Sequence, residues 1–494
     1  MRSTATCFVL VCLAGSLGLV VGVVGCASGG DNADETEGDS GTLDRETASE
    51  ETAAHDDTGA ADDAIVVPPA PDAPPADDAM EFDAAAASDA GSSDAAKSDS
   101  GKTDSGKTDA GAPDTGATDT APPDAGSSPC GPIFVTITGQ KKITAGGTYE
   151  NLIVTSPNSD TAAIEIATSA PVILRCIRGS GPGDFVHGGS DVTIDRSKYV
   201  GTTATRDNTP PGKFYQSYGP KNVVIERSYM EHTSGILVQA FGGDGSASQT
   251  VRVRFNDAKN IDGRYRNGGS EFQNFVGVQD GNRSSAEIAY NRVVTEPGKG
   301  RAEDNISMYK NGGTAARPFK VYKNYIEGSY PDDFLKSATT GTSINCDGDS
   351  STTDANMPQY GLWTNNFVTG GAAINMAVGR QVTADDNTIV SVGRTRSGIR
   401  YRSGYAGMSL FNYLGTPMWG PNRGARNRIL WLRDDSAVTS SSPYSSTRAD
   451  IDKGAAFLTD TDHMTLPFAT AEQWAYDEFM KMLTTDGVTV GPGW

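Results

Sequence analysis

The chain has 494 residues, with 62 Asp and Glu against 41 Lys and Arg, and a formal net charge of −21. No cluster of Lys and Arg of the nucleic-acid-binding kind occurs in it, and no phosphate-binding glycine loop or nucleophile elbow. Four histidines in all leave little material for a His-rich metal site.

Arg2 opens a short basic region, an apolar stretch runs from Phe8 to Val24, and Gly25-Cys26 follows. Residues 1–25 therefore read as a signal peptide, too short for a membrane span and without a charged stop beyond it. Val23-Val24-Gly25-Cys26 resembles the lipobox of bacterial lipoproteins, with Val23 where Leu is commonest and Val24 where Ala or Ser is. The resemblance implies cleavage before Cys26 and a diacylglycerol on its thiol. The expected location is the bacterial cell envelope, lipid-anchored at the outer membrane or the cell surface.

Residues 26–129 carry almost no large apolar side chain. From Ala27 to Pro129 there are 26 acidic and 4 basic residues, so the rest of the chain sums to nearly zero charge. The low pI thus describes this segment and says nothing of a substrate. Phe82 is its one aromatic residue, and stretches such as SDSGKTDSGKTDAGAPDTGATDT are low-complexity spacer. A disordered tether of about 100 residues is expected, spanning roughly 55 Å as a flexible coil.

The folded part is expected over 130–494, room for a large core. It keeps Cys130, Cys176 and Cys346, an odd number for an exported, oxidising setting. A Cys130–Cys176 bridge and buried free thiols both remain open. Residues 130–175, with FVTITG, YENLIVTS and AAIEIA, read as first turns and a cap. From about residue 190 a pattern recurs: alternating apolar residues, then Asn or Ser, one residue, and another apolar. It reads VTIDRSKYV, VVIERSYME, VRVRFNDA, EIAYNRVV, KVYKNYIEG, LWTNNFVTG, VTADDNTIV and ARNRILWL. The polar pivots are Ser197, Ser228, Asn256, Asn291, Asn324, Asn366, Asn387 and Asn427. Second strands fall between them: GILVQ, FVGVQD, NISMYK, AINMAV and GIRYRS, with DFLKS a weaker member. No helical periodicity interrupts, so a stack of short strands sharing one core is expected, its pivot amides bonding to one another along the axis. An all-β sandwich is the alternative. Near 470–484, Thr470-Ala471-Glu472-Gln473 has capping-box spacing before WAYDEFMKML, predicting a helix on the side or end of the stack, with Trp474 and Phe479 as packing residues.

These repeats resemble the right-handed parallel β-helix of the pectate-lyase-like superfamily over roughly 190–435. The resemblance implies an all-β solenoid with its substrate groove along one sheet. Fold alone does not fix activity, because lyases, hydrolases, epimerases and non-catalytic adhesins share it. If Val238, Val278, Met308 and Met376 point inward, then Leu237, Gln239, Gly277, Gln279, Ser307, Tyr309, Asn375, Arg400 and Arg402 point outward as a polar ladder suited to a polymer. Gln239, Gln279, Ser307, Tyr309 and Asn375 are the expected substrate contacts. A polysaccharide lyase needs cations to neutralise a uronate and a Lys or Arg to take its C5 proton. Lys310, Lys336, Arg400 and Arg402 are the candidates. Asp280, Glu303 and Asp304 would hold calcium, although Asp280 and Lys310 also suit a plain ion pair between turns.

The sets NTD, DD, GHG and RIK of polygalacturonases, and WIDH and RxPxxR of pectate lyases, are absent. His187 and His232 read as loop histidines near strand ends. The expected function is a surface-anchored, carbohydrate-active protein cutting an acidic glycan by β-elimination. The alternative is a non-catalytic glycan-binding, adhesion or structural envelope protein; a monomer is expected in either case.

Overall fold

The computed structural model describes residues 130–494, except 272, 282–283, 337–340, 372, 434–443 and 446. The signal peptide, Cys26 and the tether lie outside the described residues. The described chain winds as a parallel β-helix. In each coil one strand precedes the pivot, a second follows it, and a third closes the turn. The strands before the pivots, from Gly147–Glu150 to Leu458–Thr459, stack as an 11-stranded sheet I. Those after the pivots, from Val135–Thr136 onward, form a 13-stranded sheet II. The third set, from Lys141–Ile143 to Met408–Leu410, forms a 10-stranded sheet III. Pairing between coils is parallel, so each coil rises by one strand spacing of about 4.8 Å. The expected first turns over 130–175 are present.

Alternation sets what lies inside. Val238, Val278, Met308 and Met376 are buried and join one apolar cluster running the length of the coil, from Ile143 to Trp431. No single coil encloses such a core, and stacking does.

The pivots behave as the spacing predicts. Asn256, Asn291, Asn324, Asn366, Asn387 and Asn427 are fully buried. Asn291 Nδ2 donates to Asn324 Oδ1 at 2.9 Å, Asn324 to Asn366 at 3.0 Å, Asn366 to Asn387 at 2.9 Å and Asn387 to Asn427 at 3.0 Å. Each of these oxygens also accepts the backbone N–H of the preceding pivot, as in Asn291 N to Asn324 Oδ1 at 3.0 Å. Each Nδ2 also reaches a carbonyl of the coil before, such as Val253 O for Asn291 at 2.9 Å. Ser197 and Ser228 continue the column with their hydroxyls, which accept 3.2 and 3.1 Å bonds. The residue before each pivot is left-handed although it is not glycine: φ is 49° at Arg196, 60° at Phe255, 53° at Lys323 and 55° at Arg426. That conformation costs roughly 1–2 kcal/mol per residue, and the amide column offsets it.

Cys130 and Cys176 are joined across 46 residues, fastening the start of the coil, while Cys346 is a buried free thiol. The helix Phe468–Asp486 lies along the side of sheet II. Its Ala471 and Ala475 pack on Val390, Val392 and Leu430, and its Phe479 and Leu483 pack around Tyr325. Phe479 is buried and Trp474 half-buried, as packing residues. The expected capping box is not used. Pro467 occupies the N-cap, and Glu472 turns inward to accept bonds from Val392 N and the Tyr401 hydroxyl. The C-terminus then runs back over sheet II, where Trp494 and Phe134 sandwich the Arg178 guanidinium at 4.1 and 4.0 Å.

Two expectations fail here. GIRYRS is not a strand of sheet III: its coil contributes Met408–Leu410, and 398–403 form a loop whose Tyr401 is buried under Glu472. Of DFLKS, the described residues 333–336 are not a strand either, and their coil contributes Ile344–Asp347.

Replacing Asn324 by Ala should lower unfolding free energy by about 3 kcal/mol, since it strands polar groups on both neighbouring pivots. Urea titration against Gln239→Ala, a surface control expected to change little, checks it. Breaking the bridge with Cys130→Ser and Cys176→Ser should cost about 2–4 kcal/mol, and hydrogen exchange should show the loosening first in 135–180.

Candidate functional site

Sheet III presents a continuous outward row. Register places Glu165, His187, Gln216, Leu237, Gly277, Ser307, Asn345, Asn375 and Ser409 side by side on successive strands. A second row holds Tyr218, Gln239, Gln279, Tyr309 and Asp347. The expected ladder members Gln239, Gln279, Ser307, Tyr309 and Asn375 therefore share one face. His187 belongs to strand Val186–Gly188 on this row and pairs with Asp184 at 3.0 Å, which corrects its expected loop position. His232 follows strand Tyr229–Glu231, near a strand end as expected.

Carboxylates converge where the rows cross two adjacent coils. Asp304, just before strand Ile306–Tyr309, is buried under the next coil. Its Oδ1 accepts from Thr342 N and Thr342 Oγ1, both at 2.8 Å, and its Oδ2 accepts from Asn345 Nδ2 at 3.0 Å. Asn345 Nδ2 also leans toward Asp347 Oδ2 at 3.4 Å. Glu303 stands beside this group, half-buried. Burial and the neighbouring charges of Asp304 and Asp347 push its carboxyl up to about 8, against the opposing pull of Arg301. Burial, with the charges of Asp304 and Asp349, raises Asp347 to about 6. Burial raises Asp304 as well, against its three hydrogen bonds. Like charges gathered in a half-dry place keep protons that water would remove.

A groove of about 520 Å³ opens beside the cluster, lined by Asp347, Asp349, Asn375, Tyr405, Phe411 and Tyr413. Tyr405 and Tyr413 are 45% and 64% exposed, flat faces of the kind that stack on sugar rings. A groove of equal size at another corner is lined by Gly201, His232, Asp262, Arg264 and Tyr265. There Asp262 holds Arg264 in a two-bond fork at 2.8 Å, so its charges are already spent on each other.

The expected basic residues are placed differently. Lys310 is 13% exposed and donates to Asp349 at 3.2 Å and Ser351 at 3.0 Å, with Asp280 at 3.6 Å. It is the internal counter-ion of the Asp347–Asp349 turn, and its tie to Asp280 is the expected inter-coil ion pair. Lys336 is 84% exposed and pairs with Asp333 at 3.0 Å. Arg402 reaches the Lys336 carbonyl at 2.6 Å, and Arg400 lies on the same loop. Arg400 and Arg402 are thus off the ladder, and Lys336 is not at a strand end of sheet III.

Asp280, Glu303 and Asp304, expected to hold calcium, have other partners or neighbours here. Asp280 faces Lys310, Asp304 spends its oxygens on Thr342 and Asn345, and no group of three acidic, His or Cys side chains among the described residues is close enough to hold a metal. Asp347, Asn345, Asp349, Tyr405 and Tyr413 were not singled out from the sequence. The alternation in INCDGD (344–349) carried the signal, and assigning DFLKS to that coil hid it.

No helix among the described residues is long and apolar enough to cross a membrane. Compared with family models, with curated proteins and with solved structures, the chain matches none of them.

Proposed function

We propose that this chain is an exported, carbohydrate-active β-helix that cleaves a glycan lying along sheet III, with Glu303 as general acid and Asp347 as general base. The observation that carries it is Asp347 in an aromatic-rimmed groove, with Glu303 and Asp304 of the adjacent coil near enough for their charges to act on one another. Carboxyls whose environments hold them at about 8 and about 6 divide into a proton donor and an acceptor at neutral pH. Glu303 gives its proton to the glycosidic oxygen as the bond to the anomeric carbon breaks. Water attacks that carbon and surrenders a proton to Asp347. Asp304 is a positioning residue: it fixes Asn345, and its neighbourhood adds to the burial that keeps Glu303 protonated.

A second reading, glycan binding without cleavage, is favoured by the exposed rings of Tyr405 and Tyr413. Elimination with Lys310 as base and Arg400, Arg402 or Lys336 as neutraliser is the competing chemistry. It has to overcome the commitment of Lys310 to Asp349 and Asp280. One screen separates the three: new reducing ends mean hydrolysis, unsaturated-product absorbance means elimination, and affinity without either means binding. The superfamily resemblance supports a glycan as the ligand. The lipobox-like residues support an anchor at Cys26 with the acidic segment as stalk. Incorporation of labelled palmitate into the chain, lost in Cys26→Ser, is the expected result for that anchor.

The kcat/KM profile should be bell-shaped, with limbs near 6 and 8 belonging to the coupled cluster as a whole. Glu303→Gln should lower kcat by about 10²–10⁴. Stability moves oppositely to the usual carboxylate case. A carboxyl held higher in the folded state than unfolded stabilises below its unfolded value, and that contribution is lost as pH rises through about 8. The Tm of Glu303→Gln should match that of the parent chain at pH 5 and exceed it at pH 9; equal gaps at both pH values would remove the buried-carboxyl reading.

A further inference from the structure

One wall of the groove, at Asp347, Asp349 and Asn375, carries acceptors, and Asn345 pairs with Asn375 on the neighbouring strand. Asn345 and Asn375 are neighbours in the outward row of sheet III and only 4% and 9% exposed. The side-chain oxygen of each is buried with no hydrogen-bond partner. A buried amide oxygen left without a donor costs about 1–3 kcal/mol, and two such atoms side by side are a standing demand for donors. Beside them lie Asp304 and Asp347, with Asp349 two residues beyond Asp347. Asp452 adds its charge near Tyr405.

The cations nearby are engaged. Lys310 is shared among Asp349, Asp280 and Ser351. Arg301 faces Asp332 at 3.4 Å and Ser270, and Lys453 lies over the Phe411 ring at 4.2 Å. A uronate or sulfate entering here would meet carboxylates and amide oxygens. The expected acidic glycan is therefore the polymer this groove is least suited to. An ammonium group supplies what is missing: three donors and a positive charge, with no acceptor of its own.

We infer that the groove at Asp347 and Asn375 binds an amino-sugar residue through its free ammonium, making the ligand a glycan with unacetylated 2-amino sugars. The inference rests on the glycan reading above and names its sugar class. The ammonium would donate to Asp347 and to the orphaned oxygen of Asn375, while Tyr405 and Tyr413 stack on the rings to either side. Successive sugars of an extended chain, about 5 Å apart, nearly match the strand spacing of about 4.8 Å. One residue per coil would then keep the ammonium in register with its site.

The test is isothermal titration of the full-length chain carrying Glu303→Gln, so that binding is read without turnover. Glucosamine hexamer, its fully N-acetylated counterpart and galacturonate hexamer are compared at pH 6.5 and low salt. The glucosamine hexamer should bind at least tenfold more tightly than the N-acetylated one, and the galacturonate more weakly than either. Adding Asp347→Asn should shrink the preference to under threefold and leave N-acetylated binding unchanged. Asn375→Ala should weaken the glucosamine hexamer by about fivefold, and a circular dichroism spectrum and Tm matching the parent chain guard against a folding artefact in either variant. Equal affinities, tighter galacturonate or no binding of any of the three would overturn the inference. Cleavage of a different glycan by the parent chain would still leave the hydrolysis reading standing. Glucosamine binding with no cleavage by the parent chain supports the inference while removing hydrolysis.

Discussion

The buried column of pivot amides is the constraint on which the rest depends. Parallel strands are slow and costly to register, because a slip of one residue turns the core face outward. Each Asn from Asn256 to Asn387 ties its own backbone N–H and Nδ2 to the next pivot's oxygen, and its Nδ2 also to a carbonyl of the coil before. A slipped coil would lose all of these bonds in a dry interior. The column therefore sets the register of sheets I and II directly, and that of sheet III through the common winding. The rows that carry Ser307, Asn345 and Asn375, or Gln279, Tyr309 and Asp347, follow from that register.

Rigid register is also what allows a group of like charges to persist. Asp304 is fixed by Thr342 and Asn345, members of the next coil, and cannot swing into water to relieve its neighbours. The strain falls instead on protonation, and Glu303 and Asp347 hold protons well above the ordinary carboxylate range. Charges elsewhere on the coil are arranged in the opposite way. Arg254 lies between Glu226 and Glu287, Arg292 forks onto Asp257, and Arg426 pairs with Asp386. The sheet III cluster differs from these pairs in holding like charges together, at a cost in stability.

The repeat was legible because its physics is local. A period of two, a polar residue at the turn and an apolar residue two places on are all readable in nine residues, and all eight pivots take their places in the column. What the sequence hid was non-local. Gly398 to Ser403 alternates like a strand, yet Tyr401 is buried because Glu472, 71 residues later, reaches its hydroxyl. The same contact explains the unused capping box, since Glu472 serves the interior and not its own helix end. Lys310 read as a candidate base or as the partner of Asp280, because nothing nearby in sequence announces Asp349, which the winding brings beside it from the next coil. Most of the left-handed residues before the pivots were invisible too, because Arg, Phe, Tyr and Lys, unlike Asn365 and Asp386, carry no sign of a positive φ.

The helix Phe468–Asp486 and the tail behind it complete the argument for a one-sided protein. They cover sheet II from the last coils back to Arg178, where Trp494 closes over the guanidinium and donates to Arg196 O at 2.9 Å. Lys323 meets Asp486 at 2.7 Å, and Arg292 donates to Tyr476 at 3.2 Å, so polar as well as apolar contacts hold the strap down. Sheet II is thereby withdrawn from any extended ligand. Sheet I carries the interlocked Arg and Glu side chains of Arg252, Arg254 and Glu287, whose hydrogen-bonding capacity is already used on one another. Sheet III keeps a continuous outward row, exposed aromatic rings and unanswered acceptors together. Asn345 and Asn375 leave those acceptors on adjacent strands of one face, where a polymer aligned with the axis would meet them together.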